Sequence, residues 1–158
     1  MTPAIEIAKK HHVAYTVHEY KHDVASESYG LEAAEKLGIS EAKVFKTLVL
    51  RLNDDSLAVA ILAVSSMLSM KLMANAVGAK KAVMAATDDV ERATGYVLGG
   101  VSPLGQKRRL KTVIDQSARA FDTIYISAGR RGLEIELNPV DLQKLTAGLF
   151  IPIATNAY

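Results

Sequence analysis

The residues from Leu57 to Val64 are apolar at every position, and this run constrains the fold more than any other stretch. A strand with one face in water alternates apolar and polar side chains. The unbroken apolar character therefore predicts a strand that is covered on both faces. We expect a layered core in which this strand lies between other elements of secondary structure.

A second apolar run, Val44 to Leu50, precedes it and contains one charge, that of Lys46. Its β-branched and aromatic residues predict a strand, and the turn residues at 53–56 predict a tight connection between the two runs. Because side chains alternate along a strand, Lys46 shares a face with valine and leucine. Either this ammonium group lies near an edge and reaches water, or it is held in a pocket for an anionic or electron-rich group.

Capping residues, glycines and β-branched runs predict the remaining elements. Helices are predicted from Thr2-Pro3 to about His12, through Leu31 to Gly38, from Ser69 to Gly78, from Thr87 to about Thr94, and from Asn138-Pro139 to Gly148. Strands are predicted at 15–20, in a hairpin whose arms flank a turn at Ser127–Gly132 and end at Leu137, and at 150–153.

Strands and helices are mixed irregularly along the 158 residues, with no internal repeat, low-complexity segment or linker. A chain of this length buries about 70% of its unfolded surface and forms one domain. We therefore predict a single α/β domain over residues 1–158, with a mixed, partly barrel-like β-sheet and surrounding helices.

The composition excludes several classes of function. There is no cysteine, and therefore no disulfide, thiolate ligand or cysteine nucleophile. No apolar run reaches the roughly 18 residues of a membrane span, and the first residues lack the basic and apolar stretches of a secretory signal. We expect a cytoplasmic protein with no membrane partner.

Four histidines lie near the start of the chain, at His11, His12, His18 and His22. Zinc sites commonly use a helical pair of histidines followed by a third ligand, and this spacing does not form that pattern. We expect no metal site and no cofactor.

A glycine-rich loop extends from Gly95 to Gly105. Gly99 and Gly100 permit positive φ angles or close approach by a ligand, and Pro103 favours extended geometry at the residue before it. Such a loop either forms only a turn or directs backbone amides at one spot, where they stabilise an oxyanion. Its sequence matches neither a Walker loop nor a dinucleotide-binding fingerprint.

Positive charge is concentrated in one region of the chain. Residues 99–133 carry a net charge of +5, whereas residues 1–69 carry −2 and the whole chain carries +2. The segment 106–111 is a basic tract that is either solvated surface or a contact for phosphates. The candidate phosphate-binding residues in the region are Lys107, Arg108, Arg109, Lys111, Arg130 and Arg131.

Six stretches together resemble the YbaK proteins, which are free-standing aminoacyl-tRNA deacylases related to the editing domain inserted in bacterial prolyl-tRNA synthetase. The similarity covers nearly the whole chain in matching order, with departures at Ala128, where glycine is expected, and at Tyr29, where phenylalanine is usual. The stretches are Met1–Ala4, Glu32–Gly38, Phe45–Leu48, Gly95–Tyr96, Gly99–Gly105 and Ser127–Leu133.

This resemblance implies a mixed α/β fold and the hydrolysis of cysteine mischarged onto proline tRNA, and of cysteinyl-tRNA itself unless the cognate synthetase protects it. It implies catalytic roles for Lys46, Gly99 and Gly100. The residues it assigns to substrate binding are Tyr20, Tyr29, Thr47, Ser127 and Gly129. The expected partners are the aminoacylated 3′ end of tRNA, contacted by the six basic residues above, and prolyl-tRNA synthetase.

The sequence contains no Gly-x-Ser-x-Gly elbow, no cysteine and no zinc ligand set, so no nucleophile of the protein's own is recognisable. The resemblance points to the substrate's thiol, which would attack its own ester carbonyl and leave a thiolactone. One alternative is a deacylase that clears alanine or serine with an activated water. Another is a non-catalytic module that binds tRNA or a synthetase through the 107–131 surface, and turnover distinguishes it from an enzyme.

Overall fold

The computed structural model describes residues 1–26 and 28–155. Its helices are α1 Pro3–Lys10, α2 Tyr29–Leu37, α3 Met70–Ala76, α4 Thr87–Thr94 and α5 Pro139–Thr146, with short 3₁₀ helices at Glu41–Lys43 and Gln116–Ala120. Its strands are β1 Tyr15–Glu19, β2 Phe45–Leu52, β3 Leu57–Ala63, β4 Met67–Leu68, β5 Ala82–Met84, β6 Lys111–Ile114, β7 Ile124–Arg130, β8 Leu133–Leu137, β9 Leu149–Phe150 and β10 Ala154–Thr155.

Strand β3 lies in the middle of a five-stranded sheet of order β5-β2-β3-β6-β9. It pairs antiparallel with β2 and parallel with β6. Val59 and Ile61 pack into one apolar core, whereas Ala58 and Ala60 pack into a second core on the other side of the sheet. The prediction of a strand covered on both faces is confirmed.

A three-stranded antiparallel sheet of order β1-β8-β7 stands beside the first. Strand β2 packs against β7, and Val44 and Tyr125 form a parallel bridge between the two sheets. Strands β4 and β10 form a separate antiparallel pair. The fold is therefore a mixed α/β arrangement as predicted, and among the described strands the sheets do not close into a complete barrel.

Three of the helices begin at the predicted capping residues. The side chains of Thr2, Ser69 and Asn138 each accept a hydrogen bond from a backbone amide in the first turn of α1, α3 and α5 respectively. Gly38 ends α2 with a φ of 67°, which glycine adopts without strain. The helices are short, and none within residues 1–26 and 28–155 has both the length and the apolar character to cross a membrane.

Several predicted boundaries were wrong. Strand β7 continues to Arg130, with a register shift after Ser127, so the hairpin turn consists only of Arg131 and Gly132. The left-handed residue after α5 is Ala147, with a φ of 56°, and not Gly148. The predicted strand at 150–153 contributes only Phe150 to β9. Pairing with β8 sets the extent of β7, and pairing with β6 sets that of β9.

Candidate active site

A cavity of about 320 Å³ lies where β2, β7, β8 and the glycine-rich loop meet. The start of α2 and the end of β1 complete its wall through Gly30 and Tyr20. Seven of the residues that the sequence analysis singled out line this cavity, although they are distributed over much of the chain. They are Tyr20, Lys46, Thr47, Gly99, Ser127, Arg130 and Arg131.

Lys46 lies on β2 and extends its side chain along the cavity wall. Its Nζ donates a hydrogen bond of 2.7 Å to the carbonyl of Ser66, and the described residues offer it no ion pair. Burial lowers the pKa of the ammonium group from its ordinary value. Of the two interpretations of this lysine, the structure agrees with the one in which it lies in a pocket.

Gly99 and Gly100 have different surroundings. Gly99 has a φ of 92° and lines the cavity, and its amide donates to no other described residue. The amide of Gly100 already donates to the carbonyl of Val97 at 3.0 Å. A Cβ on Gly100 would lie 2.8 Å from the Cα of Arg130, so glycine is required for the loop to lie against β7. Gly99 is therefore the glycine whose amide a ligand can reach.

Ser127 holds this loop to the hairpin. Its hydroxyl donates to the carbonyl of Gly100 at 3.2 Å and accepts from the amide of Gly129 at 3.1 Å. Gly129 does not line the cavity, because it packs on the ring of Tyr96 with a φ of 113°. Ala128, where glycine was expected, has an ordinary φ and is fully buried, so its methyl group causes no strain.

Two polar groups of the cavity keep hydrogen-bonding capacity for a ligand. Burial, together with the nearby carboxylate of Glu134, raises the pKa of Tyr20 to about 12, so its hydroxyl stays protonated at neutral pH. The hydroxyl of Thr47 is buried and has no hydrogen-bond partner within residues 1–26 and 28–155. Tyr29 begins α2, but its side chain lies outside the described part of the structure.

Glu134 is the cavity residue that sequence reasoning missed. It lies on β8 opposite Ser127 and is only 7% exposed. Burial raises the pKa of its carboxyl group to about 8. The segment Leu133–Leu137 alternates apolar and acidic residues, which predicts that the acids face water. The sequence offered no signal for its place at the cavity, because its pairing with Ser127 depends on the register shift between Ser127 and Arg130.

The six basic candidates separate into two groups. Arg130 and Arg131 line the cavity at the hairpin turn. The segment 107–109 does not line it; its side chains are exposed beyond the end of α4, to which the backbone of Lys107 and Arg108 is hydrogen-bonded. Lys111 lies at the start of β6, where its Nζ donates to the carbonyl of Val77 at 3.2 Å.

Comparisons with known proteins identify the family of this chain. The aminoacyl-tRNA editing domain family matches residues 27–145, a range that includes every cavity residue named above except Tyr20. A protein of Enterococcus faecalis, named "Putative Cys-tRNA(Pro)/Cys-tRNA(Cys) deacylase EbsC", is 37% identical over 157 residues, which are 98% of this chain and 93% of that protein.

Solved structures show the same fold. The crystal structure of the hypothetical protein APE2540 superposes with a TM-score of 0.86 at 22% identity, covering 97% of this chain and 99% of that one. A structure described as a "putative trans-editing enzyme for prolyl tRNA synthetase" superposes with a TM-score of 0.80 at 19% identity, covering 97% and 93%. The chain therefore belongs to the aminoacyl-tRNA editing domain family, and its enzymatic class is that of the aminoacyl-tRNA deacylases.

Proposed function

We propose that this protein clears cysteine from Cys-tRNA(Pro), and from Cys-tRNA(Cys), and that the thiol of the substrate is the nucleophile. The activity named for EbsC, at 37% identity over nearly the whole chain, supports the substrate. One observation carries the mechanism: the described wall of the cavity contains a cation and hydrogen-bonding groups, but no hydroxyl that is bonded to a base.

The two hydroxyls deepest in the candidate site illustrate this point. The Ser127 hydroxyl is hydrogen-bonded to backbone groups only, and that of Thr47 has no described partner. No histidine is among the described lining residues. A serine or threonine nucleophile needs an adjacent base, so neither hydroxyl is activated as these residues stand.

A cysteinyl ester supplies the missing nucleophile. A thiol has a pKa near 8.5, so a few per cent is thiolate at neutral pH. The thiol loses its proton and its sulfur attacks the ester carbonyl. The carbon–oxygen bond to the ribose then breaks, and the ribose oxygen takes up a proton. The product is a four-membered thiolactone, which water opens to free cysteine.

The protein contributes positioning and electrostatic stabilisation to this reaction. The amide of Gly99 donates to the oxyanion that forms on the ester carbonyl. Lys46 adds a positive charge at the same wall, where it orients the aminoacyl ester or the adjacent phosphate. Holding sulfur and carbonyl in a reactive geometry accelerates a ring closure that is slow in free solution.

Arg130 and Arg131 support the proposal that the acceptor end of tRNA enters the cavity past the hairpin turn. Both are exposed and adjoin the space that holds the ester. Contacts to phosphates position a nucleic acid without reading its sequence. The segment 107–111 contacts the tRNA farther from the ester, or prolyl-tRNA synthetase holds that part of the tRNA when it acts as partner.

The need for such an enzyme follows from the limits of recognition. A pocket built for proline discriminates weakly against a side chain of similar size, because small apolar differences contribute only about 1–3 kcal/mol. A second step that requires a thiol supplies chemical selectivity, since proline has none to offer.

Rapid-quench assays on tRNA(Pro) charged with cysteine, serine or alanine test the proposal. We expect cysteine to be cleared fastest, seryl ester to be cleared poorly because an alcohol is far less ionised than a thiol, and a thiolactone to appear before free cysteine. Free cysteine from the first time point, with seryl-tRNA cleared at a similar rate, would instead indicate an activated water. Binding without loss of the ester would indicate a non-catalytic module.

A further inference from the structure

Glu134 has no role in the mechanism above, yet it is the only carboxyl group among the described residues that line the cavity. The residue is 7% exposed, and its carboxyl group makes no hydrogen bond or ion pair with residues 1–26 and 28–155. A buried carboxylate without a partner is costly, and most buried charges are paired. Such a group in the wall of a ligand cavity indicates that the ligand supplies the partner.

The other buried or half-buried acids of the same region have partners. Glu32 accepts from His22, Lys36 and the amide of Asp23. Glu136, two residues along the strand from Glu134, accepts from His18 at 2.9 Å and from the hydroxyl of Thr123. The lack of a donor at Glu134 is therefore a property of the cavity, and not of acids in this part of the fold.

Several polar groups face the same space from the surrounding elements. Tyr20 approaches from the end of β1, Lys46 from β2, Ser127 from β7, and Arg130 and Arg131 from the hairpin turn. The ammonium of Lys46 is bonded to the carbonyl of Ser66 instead of to Glu134. The cavity wall thus contains three cations and, at Glu134, one carboxyl group without a described donor.

We propose that Glu134 is a specificity residue that binds the free α-ammonium group of the aminoacyl ester. This inference rests on the proposed function, because it concerns the orientation of that substrate in that cavity. An aminoacyl ester of tRNA has one cation, its ammonium group, and the anionic phosphates lie at its other end. Pairing the ammonium with Glu134 directs the phosphates toward Lys46 and the hairpin arginines.

The pairing has a consequence for selectivity. An ester whose amino group is acylated, as in peptidyl-tRNA, carries no ammonium and would leave Glu134 unpaired. Sites that hydrogen-bond a substrate group reject analogues that lack it, because the buried partner in the site is then unsatisfied. Glu134 would therefore confine hydrolysis to free aminoacyl-tRNA and spare the growing peptide.

The test compares two substrates that differ only at this group. Cysteinyl-tRNA and 3-mercaptopropionyl-tRNA have the same thiol and ester, but the second has hydrogen in place of the ammonium. In single-turnover assays, Glu134→Gln is expected to slow clearance of cysteinyl-tRNA about ten- to a hundredfold. Its clearance of mercaptopropionyl-tRNA should stay within about twofold of the rate of the unsubstituted protein. Glu136→Gln, an acid of the same strand outside the cavity, is the matched control and should treat both substrates like the unsubstituted protein.

Each rate of the variant is divided by the rate of the unsubstituted protein on the same substrate. This ratio removes the intrinsic difference in reactivity of the two esters. An equal loss on both substrates contradicts the inference, because Glu134 would then act on something other than the ammonium. Failure of the unsubstituted protein to clear cysteinyl-tRNA would contradict the proposed function instead.

Binding decides the Glu134 inference independently of turnover. The probes are the stable amides that cysteine and mercaptopropionate form with 3′-amino-3′-deoxyadenosine. By calorimetry, we expect the unsubstituted protein to bind the cysteine amide about ten- to a hundredfold more tightly, and Glu134→Gln to lose that preference. Equal affinities in the unsubstituted protein would contradict the inference, whether or not the ester is hydrolysed.

Discussion

Glu32 and Glu134 are almost equally buried, at 5% and 7% exposed, but the pKa values of their carboxyl groups shift in opposite directions. Burial raises the pKa of Glu32, yet hydrogen bonds from the Asp23 amide, His22 and Lys36 outweigh it and hold that pKa below its usual value. Burial alone acts on Glu134 and raises its pKa to about 8. Hydrogen-bond donors offset the burial of Glu32, whereas no described donor offsets that of Glu134.

This difference in hydrogen bonding distinguishes two regions of the molecule with different roles. The contacts of Glu32 connect the loop before α2 to the body of that helix, so their polar groups are satisfied within the fold. Around the cavity, Glu134 and the hydroxyl of Thr47 lack described partners. Substitutions in the first region should affect mainly stability, and substitutions in the cavity should affect mainly activity.

The largest expected effect is that of Lys46→Ala. Removing one electrostatic stabiliser typically costs about 10²-fold in rate, and we expect at least that loss of deacylation. The fold should survive, because the variant buries no unpaired charge. Single-turnover rates together with denaturant unfolding measure both quantities.

Lys36→Ala is the matched control, since Lys36 pairs with Glu32 at 3.3 Å outside the cavity. It should lose stability and retain a rate within about twofold. The comparison holds if Lys46→Ala loses activity but keeps its resistance to denaturant. A folded Lys46→Ala protein with a near-normal rate would remove Lys46 from the catalytic site.

The arginines offer a second way to sharpen the contrast between cavity and surroundings. Replacing Arg130 and Arg131 with alanine should weaken binding of a short aminoacylated hairpin that mimics the acceptor end. Replacing Arg108 and Arg109, which do not line the cavity, should weaken binding of full-length tRNA only. Each lost phosphate contact should flatten the dependence of log K on log salt by about one unit.

These measurements use filter binding at several salt concentrations on different tRNAs. Equal weakening across tRNAs is expected, because phosphate contacts carry no sequence information. An unchanged salt slope in both double variants would place the tRNA on another surface.

The two acids should show opposite pH dependence of stability. A carboxyl with a lowered pKa stabilises the fold above its unfolded pKa and loses this contribution as pH falls through the folded value. Glu32→Gln should therefore cost about 1 kcal/mol near pH 7, since Lys36 is partly exposed, and nothing in strong acid.

Glu134 has a folded pKa of about 8, above that of an ordinary glutamate, so the folded state holds its proton more tightly than the unfolded state. Stability then falls as pH rises from about 4.5 toward 8, and Glu134→Gln should remove that fall. Urea unfolding of both variants between about pH 2 and pH 8 measures the two slopes, since that of Glu32 lies below about pH 4.5. Slopes of the same sign would mean that Glu134 has partners in solution.

The smallest expected effect is that of Thr47→Val. The buried hydroxyl has no described partner, so an apolar group of the same shape should leave stability unchanged or raise it by up to about 1 kcal/mol. Thermal unfolding measures the change. A loss of stability above that size would show that the hydroxyl is hydrogen-bonded in the free protein.

Local chemistry was sufficient to predict the helix starts and the central strand, because a cap or an unbroken apolar run acts over a few residues. It was insufficient for β4 and β5, which are two and three residues long and exist only through their partners.

The residues of the candidate site also differ in whether the sequence could predict them. Lys46 was recognisable because a charge on an apolar strand face contradicts its surroundings. Glu134 was not, because an acid in an alternating strand agrees with an exposed position, and only the packing of β8 against the cavity buries it. The basic tract at 107–111 was the more conspicuous charge, yet the arginines at the cavity are Arg130 at the end of β7 and Arg131 in the turn.

Thr2 connects α1 to β7, a strand that is synthesised much later. It caps α1, and its hydroxyl donates to the carbonyl of Ala128, 126 positions later. The ribosome adds residues in order, and closing so long a loop has an entropic cost that early local contacts do not repay. We expect the cavity wall to form only once β7 and β8 have left the ribosomal tunnel, long after α1 has been synthesised.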